Sequence, residues 1–305
     1  MKKIIYILLL IFNFTALYGI ESKIIYKIEN EIITNIDIKN EFKYLSALNN
    51  KLLDLSKEKI FSISKDSIIR EKIKKIEILK NFKSLEIKRE YLNIILQNTY
   101  ERLNLQSLEE FEKYLKNYNL ELDDIEKKMV IDALWNELII KKYNSKINID
   151  VEKIKNEITK NSLEITKVYL LSEIVFEIKN KKEIEPQYNL IKQNINEIGF
   201  ENTSSIFSIS ESSKVGGDIG WISEQSLNRK IRENFLFLNK GDISKPFIVP
   251  GGVLILMIRD IKEKSEKINE ELELKKRFAY QRNQQLNQYS KIYFNKIKKN
   301  FEFNE

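Results

Sequence analysis

Proline and glycine are confined to one stretch of this chain, and that confinement limits its fold more than any other feature. The three prolines stand at 186, 246 and 250, and all eight glycines except Gly19 lie between 199 and 252. Both residue types interrupt helices and set turns. A turn-rich unit of short strands is therefore expected at about 165–262, with helical segments on either side.

The flanks read accordingly. IIYKIENEIIT (24–34) predicts strand, turn and strand with Glu29-Asn30 at the tip. Thr34 stands three residues before Asp37, a capping pattern for a helix carrying Ile38, Phe42 and Leu45. The polar stretch 49–66 reads as a loop. Helices are expected over about 66–160, with Ile69, Ile73 and Ile76 on one face and Leu92, Ile95, Leu96 and Leu103 on another. Ser107 and Glu110 form a capping box, and Asp123 or Asp124 is expected to cap the next helix, as Asp150 does the one after. Ile131, Leu134, Trp135, Leu138 and Ile139 make an amphipathic stripe, which places Trp135 in a core rather than on a binding surface.

Within the turn-rich unit, VYLLSEIVFEI (168–178) is rich in strand-forming residues. A helix is expected over 185–198, stopped by Gly199. KGDISKPFIVPGGVLILMIRDI (240–261) predicts two strands around a Pro-Gly-Gly turn. From 263 to 299 the chain reads as one polar helix. Leu272, Ala279, Leu286 and Tyr293 recur every seven residues, giving a narrow docking face rather than a coiled-coil seam.

Two absences narrow the chemistry. The 305 residues include no cysteine and no histidine. Disulfides, thiolate nucleophiles, zinc-cysteine sites and a lipidated cysteine are excluded, and so is a Ser-His-Asp triad. No metal or cofactor site is expected. GGDIG (216–220) lacks the spacing of a phosphate loop. The net charge of +7 is mild for a chain with 32% charged residues and forms no nucleic-acid stripe.

At the N-terminus, Lys2 and Lys3 precede an apolar run from Ile4 to Phe12 and smaller residues up to Gly19. That layout predicts a secretory signal peptide over 1–19, with an uncleaved anchor as the alternative.

GGDIGWI (216–222), GDISKPF (241–247) and GGVLILMIRDI (251–261) occur in an order and spacing that resembles the C-terminal part of a parvulin (PpiC-type) peptidyl-prolyl isomerase domain. LSEIVFEI (171–178) resembles that family's first strand. The hairpin-helix start, SLEEFEKYL, DIEKKMVIDALWNELIIKKY and the C-terminal helix resemble the SurA group of periplasmic chaperones. The resemblance implies an α+β fold. A mostly helical chaperone domain (20–164) would be followed by one parvulin domain (165–262), a small antiparallel sheet flanked by helices. A C-terminal helix (263–305) would pack back on the first domain.

Parvulins lower the barrier of about 18–20 kcal/mol to rotation before proline, and they need a shaped pocket rather than a nucleophile. The resemblance implies a polar ring of histidines with an acid or thiol, above an apolar floor. The matching positions here are Glu173, Ser210 and Leu254 for the ring, and Leu227 and Ile231 for the floor. The ring is largely replaced. The plainer reading of Glu173 and Ser210 is a solvent-facing carboxylate and a loop hydroxyl; the other is a rearranged isomerase site. Leu227 and Ile231 are either core or the lining of a residual peptide groove. Gly216, Gly217 and Gly220 are expected to take positive φ in a tight turn, with Trp221 pinning it to the sheet.

The expected function is a periplasmic holdase for unfolded outer-membrane proteins, with weak or lost isomerase activity. An active isomerase and a membrane-tethered factor resembling the PpiD group are the alternatives. The partners would be extended polypeptides, without nucleic acid or a small-molecule cofactor.

Overall fold

The computed structural model describes residues 22–160, 166–235, 237–264 and 270–301. The expected leader, 1–19, lies outside the described residues.

The chain opens with an antiparallel hairpin of β1 (Ile24–Ile28) and β2 (Glu31–Thr34), turning through Glu29 at φ 49°. Thr34 then caps α1 (Asn35–Leu48). Its hydroxyl accepts from the Asp37 amide at 3.1 Å, and the Asp37 carboxylate accepts from the Thr34 amide at 2.8 Å. A cap of this kind contributes about 1 kcal/mol. The helices α2 (Lys57–Leu79), α3 (Arg89–Arg102), α4 (Leu108–Lys116), α5 (Leu122–Tyr143) and α6 (Val151–Lys160) follow.

Two local expectations are corrected here. The stretch 49–66 is not a loop: Asn50–Asp54 form a 3₁₀ turn, and α2 is under way from Lys57. The Ser56 hydroxyl caps it, and buried Ile63 and Ile68 carry its apolar stripe beneath the polar residues that mask it. Neither Asp123 nor Asp124 caps α5. Glu121 occupies that position, and both aspartates lie in the first turn, where the helix dipole favours them. Ser107 caps α4 as expected, while the Glu110 carboxylate reaches past it to the Gln106 amide at 2.7 Å.

The turn-rich segment builds β3 (Thr166–Phe176), α7 (Ile184–Phe207), β4 (Asp218–Ser223), α8 (Arg229–Phe235), β5 (Phe247–Val249) and β6 (Gly252–Lys264). The sheet is antiparallel in the order β4-β3-β6-β5. Gly199 (φ 81°) ends the first helical stretch of α7, as expected. A second stretch follows it to Phe207, and Phe200 packs with Ile191 and Val253 on one face of the sheet. The other face carries Leu171, Val175, Leu254 and Leu256, covered by Leu227, Ile231 and Phe235. Alternating residues of β6 thus serve two cores.

β6 runs on to Lys264, so the last helix, α9 (Glu270–Lys298), begins later than expected. It returns across the helical region. Leu286, Ile297 and Phe301 join a core with Ile28, Ile33 and Trp135. The buried Trp135 indole donates to Ser290 Oγ at 2.8 Å and stacks on Tyr293, while Tyr289 stacks on Tyr143 at 4.7 Å. The heptad face is used from Leu286 onward; Leu272 is exposed. The fold is α+β, with a helical N-terminal region, a small antiparallel sheet and a C-terminal helix. No described helix is long and apolar enough to cross a membrane.

Candidate functional site

The glycine-rich turn places the candidate residues. A 3₁₀ turn over Glu211–Val215 ends at Gly216 (φ 68°), followed by Gly217 (φ 83°). The Glu173 amide donates to the Gly217 carbonyl at 2.8 Å. A side chain at 217 would collide with the Glu173 carbonyl and with Ser204 Oγ, 2.7 Å away. Glycine there lets the turn approach β3 at Glu173. Gly220 (φ 76°) starts the turn into the rest of β4, its amide held by Asp218 Oδ1 at 2.9 Å. Trp221 pairs with Leu170 of β3. It lies on the outside of the edge strand, 42% exposed, with the Lys262 ammonium 4.1 Å above its ring.

The close approach brings Glu173 and Ser210 together. Glu173 is only 8% exposed, so it is not a solvent-facing carboxylate. Its Oε1 accepts from the Ser210 hydroxyl and from the Ser212 hydroxyl, the latter at 3.0 Å. Two charge-assisted hydrogen bonds of this kind offset its burial. Leu254 lies opposite Val175, two positions along β3–β6 from the Glu173 pairing with Leu256 and on the same face of the sheet. Leu254 adds an apolar wall where the resemblance implies a histidine. Leu227 and Ile231 are buried beneath α8, in the cluster with Leu254 and Phe235.

Glu173, Ser210 and Ser212 open into a cleft of about 1070 Å³. Its far walls are α2, through Lys59, Ser62, Lys65 and Arg70, and α9, through Lys291, Phe294 and Asn295. The Glu177 carboxylate accepts from Asn295 across it. Tyr280, further back on α9, packs against the apolar cluster of the sheet, and burial pushes its hydroxyl far above the ordinary range.

A charge network closes the cleft at one end. Lys74, on α2, lies 3.1 Å from Asp132 and 2.8 Å from Glu211; Lys214 lies 2.8 Å from Asp132. Burial raises the Asp132 and Glu211 carboxyls. The two lysines outweigh it, holding Asp132 well below the carboxylate range and Glu211 at about 2. Lys214 is raised well above its ordinary value because Asp132 and Glu211 overcome its desolvation.

Ser212, Lys291 and the α2 wall were not anticipated from the sequence. Ser212 follows Ser210 by two residues on the same short turn, a spacing that could have flagged it. Nothing local marks Lys291, which lies 118 positions from Glu173. Chemically, the site is a carboxylate acceptor with two hydroxyl donors beside an apolar wall. It can accept an amide N–H and exclude water, but it contains neither imidazole nor thiol. Among the described residues no cluster of three or more acidic side chains is arranged to hold a metal.

A profile of the rotamase family, described as PPIC-type PPIASE domain, matches residues 173–260. Comparison with curated proteins gave no match. A solved PpiC-type peptidyl-prolyl cis-trans isomerase domain is 25% identical, covering 32% of this chain and 94% of its own, at a TM-score of 0.29. A Campylobacter jejuni structure, from work on a virulence factor and a periplasmic protein described as two structurally related SurA-like chaperones, is 16% identical. It covers 92% of this chain and 98% of its own, at a TM-score of 0.34. PrsA from Bacillus subtilis is 16% identical, covering 91% and 92%, at 0.29. The glycine turn, β4, β5 and the paired Glu173 and Ser210 fall within the matched segment, with the end of β3 and most of β6.

Proposed function

Proceeding from the PpiC-type domain at residues 173–260, we propose that this chain is an exported chaperone. It would hold unfolded outer-membrane polypeptides in the periplasm, with a prolyl isomerase activity that is weak or lost. The chain would divide into a leader (1–19), a helical chaperone domain (20–164), the parvulin domain (165–262) and a C-terminal helix (263–305). The leader reading rests on Lys2, Lys3 and the apolar run behind them.

One observation carries the reading. The site that would grip an X-Pro bond holds a carboxylate, Glu173, tied to two serines beside Leu254, yet it opens on a cleft of about 1070 Å³. The polar ring is poor for rotating a peptide bond, while a cleft of this volume leaves room for a peptide segment. Holding would rest on many weak apolar and backbone contacts, with neither nucleotide nor cofactor.

Delay of aggregation of an unfolded porin, followed by light scattering at stoichiometric protein, tests the holdase part; no delay rejects it. A protease-coupled proline-peptide assay tests the enzyme part, with rates at background expected. Clear activity, lost on Leu227→Asp or Ile231→Asp, would favour the active-isomerase reading instead.

A further inference from the structure

The cleft has walls of opposite character. On the sheet side, the carboxylates of Glu173, Glu177 and Glu211 are all engaged: with Ser210 and Ser212, with Asn295, and with Lys74 and Lys214. On the other side the lining is mainly basic: Lys59, Lys65, Arg70, Lys291, Lys298 and Lys299 outnumber Glu58 and Asp66. Among the described residues none of Lys65, Arg70, Lys291 and Lys298 has a carboxylate within ion-pair distance. On the same α2 helix, by contrast, Lys72 and Lys75 both pair with Glu31, and Lys74 with Asp132 and Glu211. Lys65 and Arg70, which face the cleft from α2, thus lack the carboxylate partners that Lys72, Lys74 and Lys75 have.

Aromatic rings stand between them. The Arg70 guanidinium lies 6.0 Å from the Phe294 ring centre, and the Lys65 ammonium 5.8 Å from that of Tyr26. Lys291, Phe294 and Lys298 share one face of α9 at i, i+3 and i+7. Lys291 is pulled below its ordinary value because burial outweighs Glu173 and Glu211. A partly desolvated cation facing an open cleft gains from a carboxylate that a ligand brings.

We propose that this cleft selects extended polypeptide segments that carry carboxylate side chains, with Arg70, Lys291 and Lys298 as the ion-pairing wall and Phe294 as the apolar contact between them. The proposal rests on the polypeptide-holding reading above and adds to it a rule of client charge. The geometry also sets a spacing. Seven helical residues separate Lys291 from Lys298, about 10.5 Å along the axis. Residues i and i+3 of a polyproline II segment lie about 9.3 Å apart on the same side. Acidic residues three apart beside a proline match the wall.

The test uses the full mature chain and three fluorescent unfolded peptides of equal length and apolar content. They carry Glu, Gln or Lys at two positions three apart, beside one proline. Anisotropy titration is expected to rank them Glu, Gln, Lys, with about a tenfold difference between the ends at low salt. High salt should shrink that to about twofold. The triple variant Arg70→Gln/Lys291→Gln/Lys298→Gln should lose the preference and keep its affinity for the Gln peptide. Lys116→Gln, on the distant α4, should keep the preference. Equal binding of all three peptides overturns the charge rule while leaving polypeptide holding intact, and so does a preference that survives the triple change. Binding of none of them rejects polypeptide holding, and the charge rule falls with it.

Discussion

Lys214 Nζ lies 2.8 Å from Asp132 Oδ2. One residue follows Ser210 and Ser212, and the other belongs to the long helix α5 of the helical region. They are 82 positions apart, and their pairing docks the sheet unit on the body. Removing one partner leaves a charge in a partly buried network. Asp132→Asn should destabilise the chain by about 2 kcal/mol. Lys214→Met combined with Asp132→Leu should cost less than the sum of the single changes. Urea unfolding of the wild type, Asp132→Asn, Asp132→Leu, Lys214→Met and the double variant checks both statements.

Acid should loosen the same joint. Glu211, near 2 in the folded chain against an ordinary 4.5, and Asp132, also depressed, are both stabilised as anions. A depressed folded value contributes stability above the unfolded value and loses it as pH falls through the folded one. Stability should therefore fall as pH drops from about 4.5 toward 2, with these two groups contributing no slope above pH 5. Glu71 works the other way: burial raises its carboxyl despite Lys128, so its protonation favours the fold and softens the slope. Denaturation midpoints across this range should fall less steeply in Glu211→Gln than in the wild type.

The glycine turn makes a sharp contrast testable. Gly217 and Gly220 both have positive φ, but only at 217 would a side chain strike backbone. Gly220→Ala should cost about 1 kcal/mol, the price of the left-handed conformation alone. Gly217→Ala should cost about 3 kcal/mol or more, since the turn must also move off β3. Thermal unfolding of the two variants, read side by side, decides it.

Ser210→Ala removes one donor from the buried Glu173 carboxylate and should cost about 1–3 kcal/mol. Glu173→Gln combined with Ser210→Ala should recover part of that loss, because the site then holds no charge. Urea midpoints for the single and double variants provide the check.

Much of this architecture was legible because its causes are local. The Thr34–Asp37 cap, the Ser107 cap, the Pro250-Gly251 turn and the Trp135 stripe each lie within one turn or one helical face, and the structure has them where the sequence placed them. The misses have physical reasons too. The stripe of α2 begins among polar residues at 57–66, so its period is hidden. Gly199 does stop a helical stretch, but a second one follows it at once, because Phe200 has a core to enter. The site was half legible. Glu173 and Ser210 were named from the resemblance, but their burial depends on the close approach of Gly217 to β3. Ser212, Lys291 and the Lys214–Asp132 pairing depend on long-range packing that no local pattern encodes.

The most direct test of the account is aggregation of an unfolded outer-membrane porin, followed by light scattering with stoichiometric wild type and with Glu173→Gln/Ser210→Ala. The account predicts an equal delay from both proteins, because holding uses the cleft and not the chemistry of the rearranged polar ring. No delay from the wild type, or a delay that disappears in the double variant while its fold is intact, would contradict it.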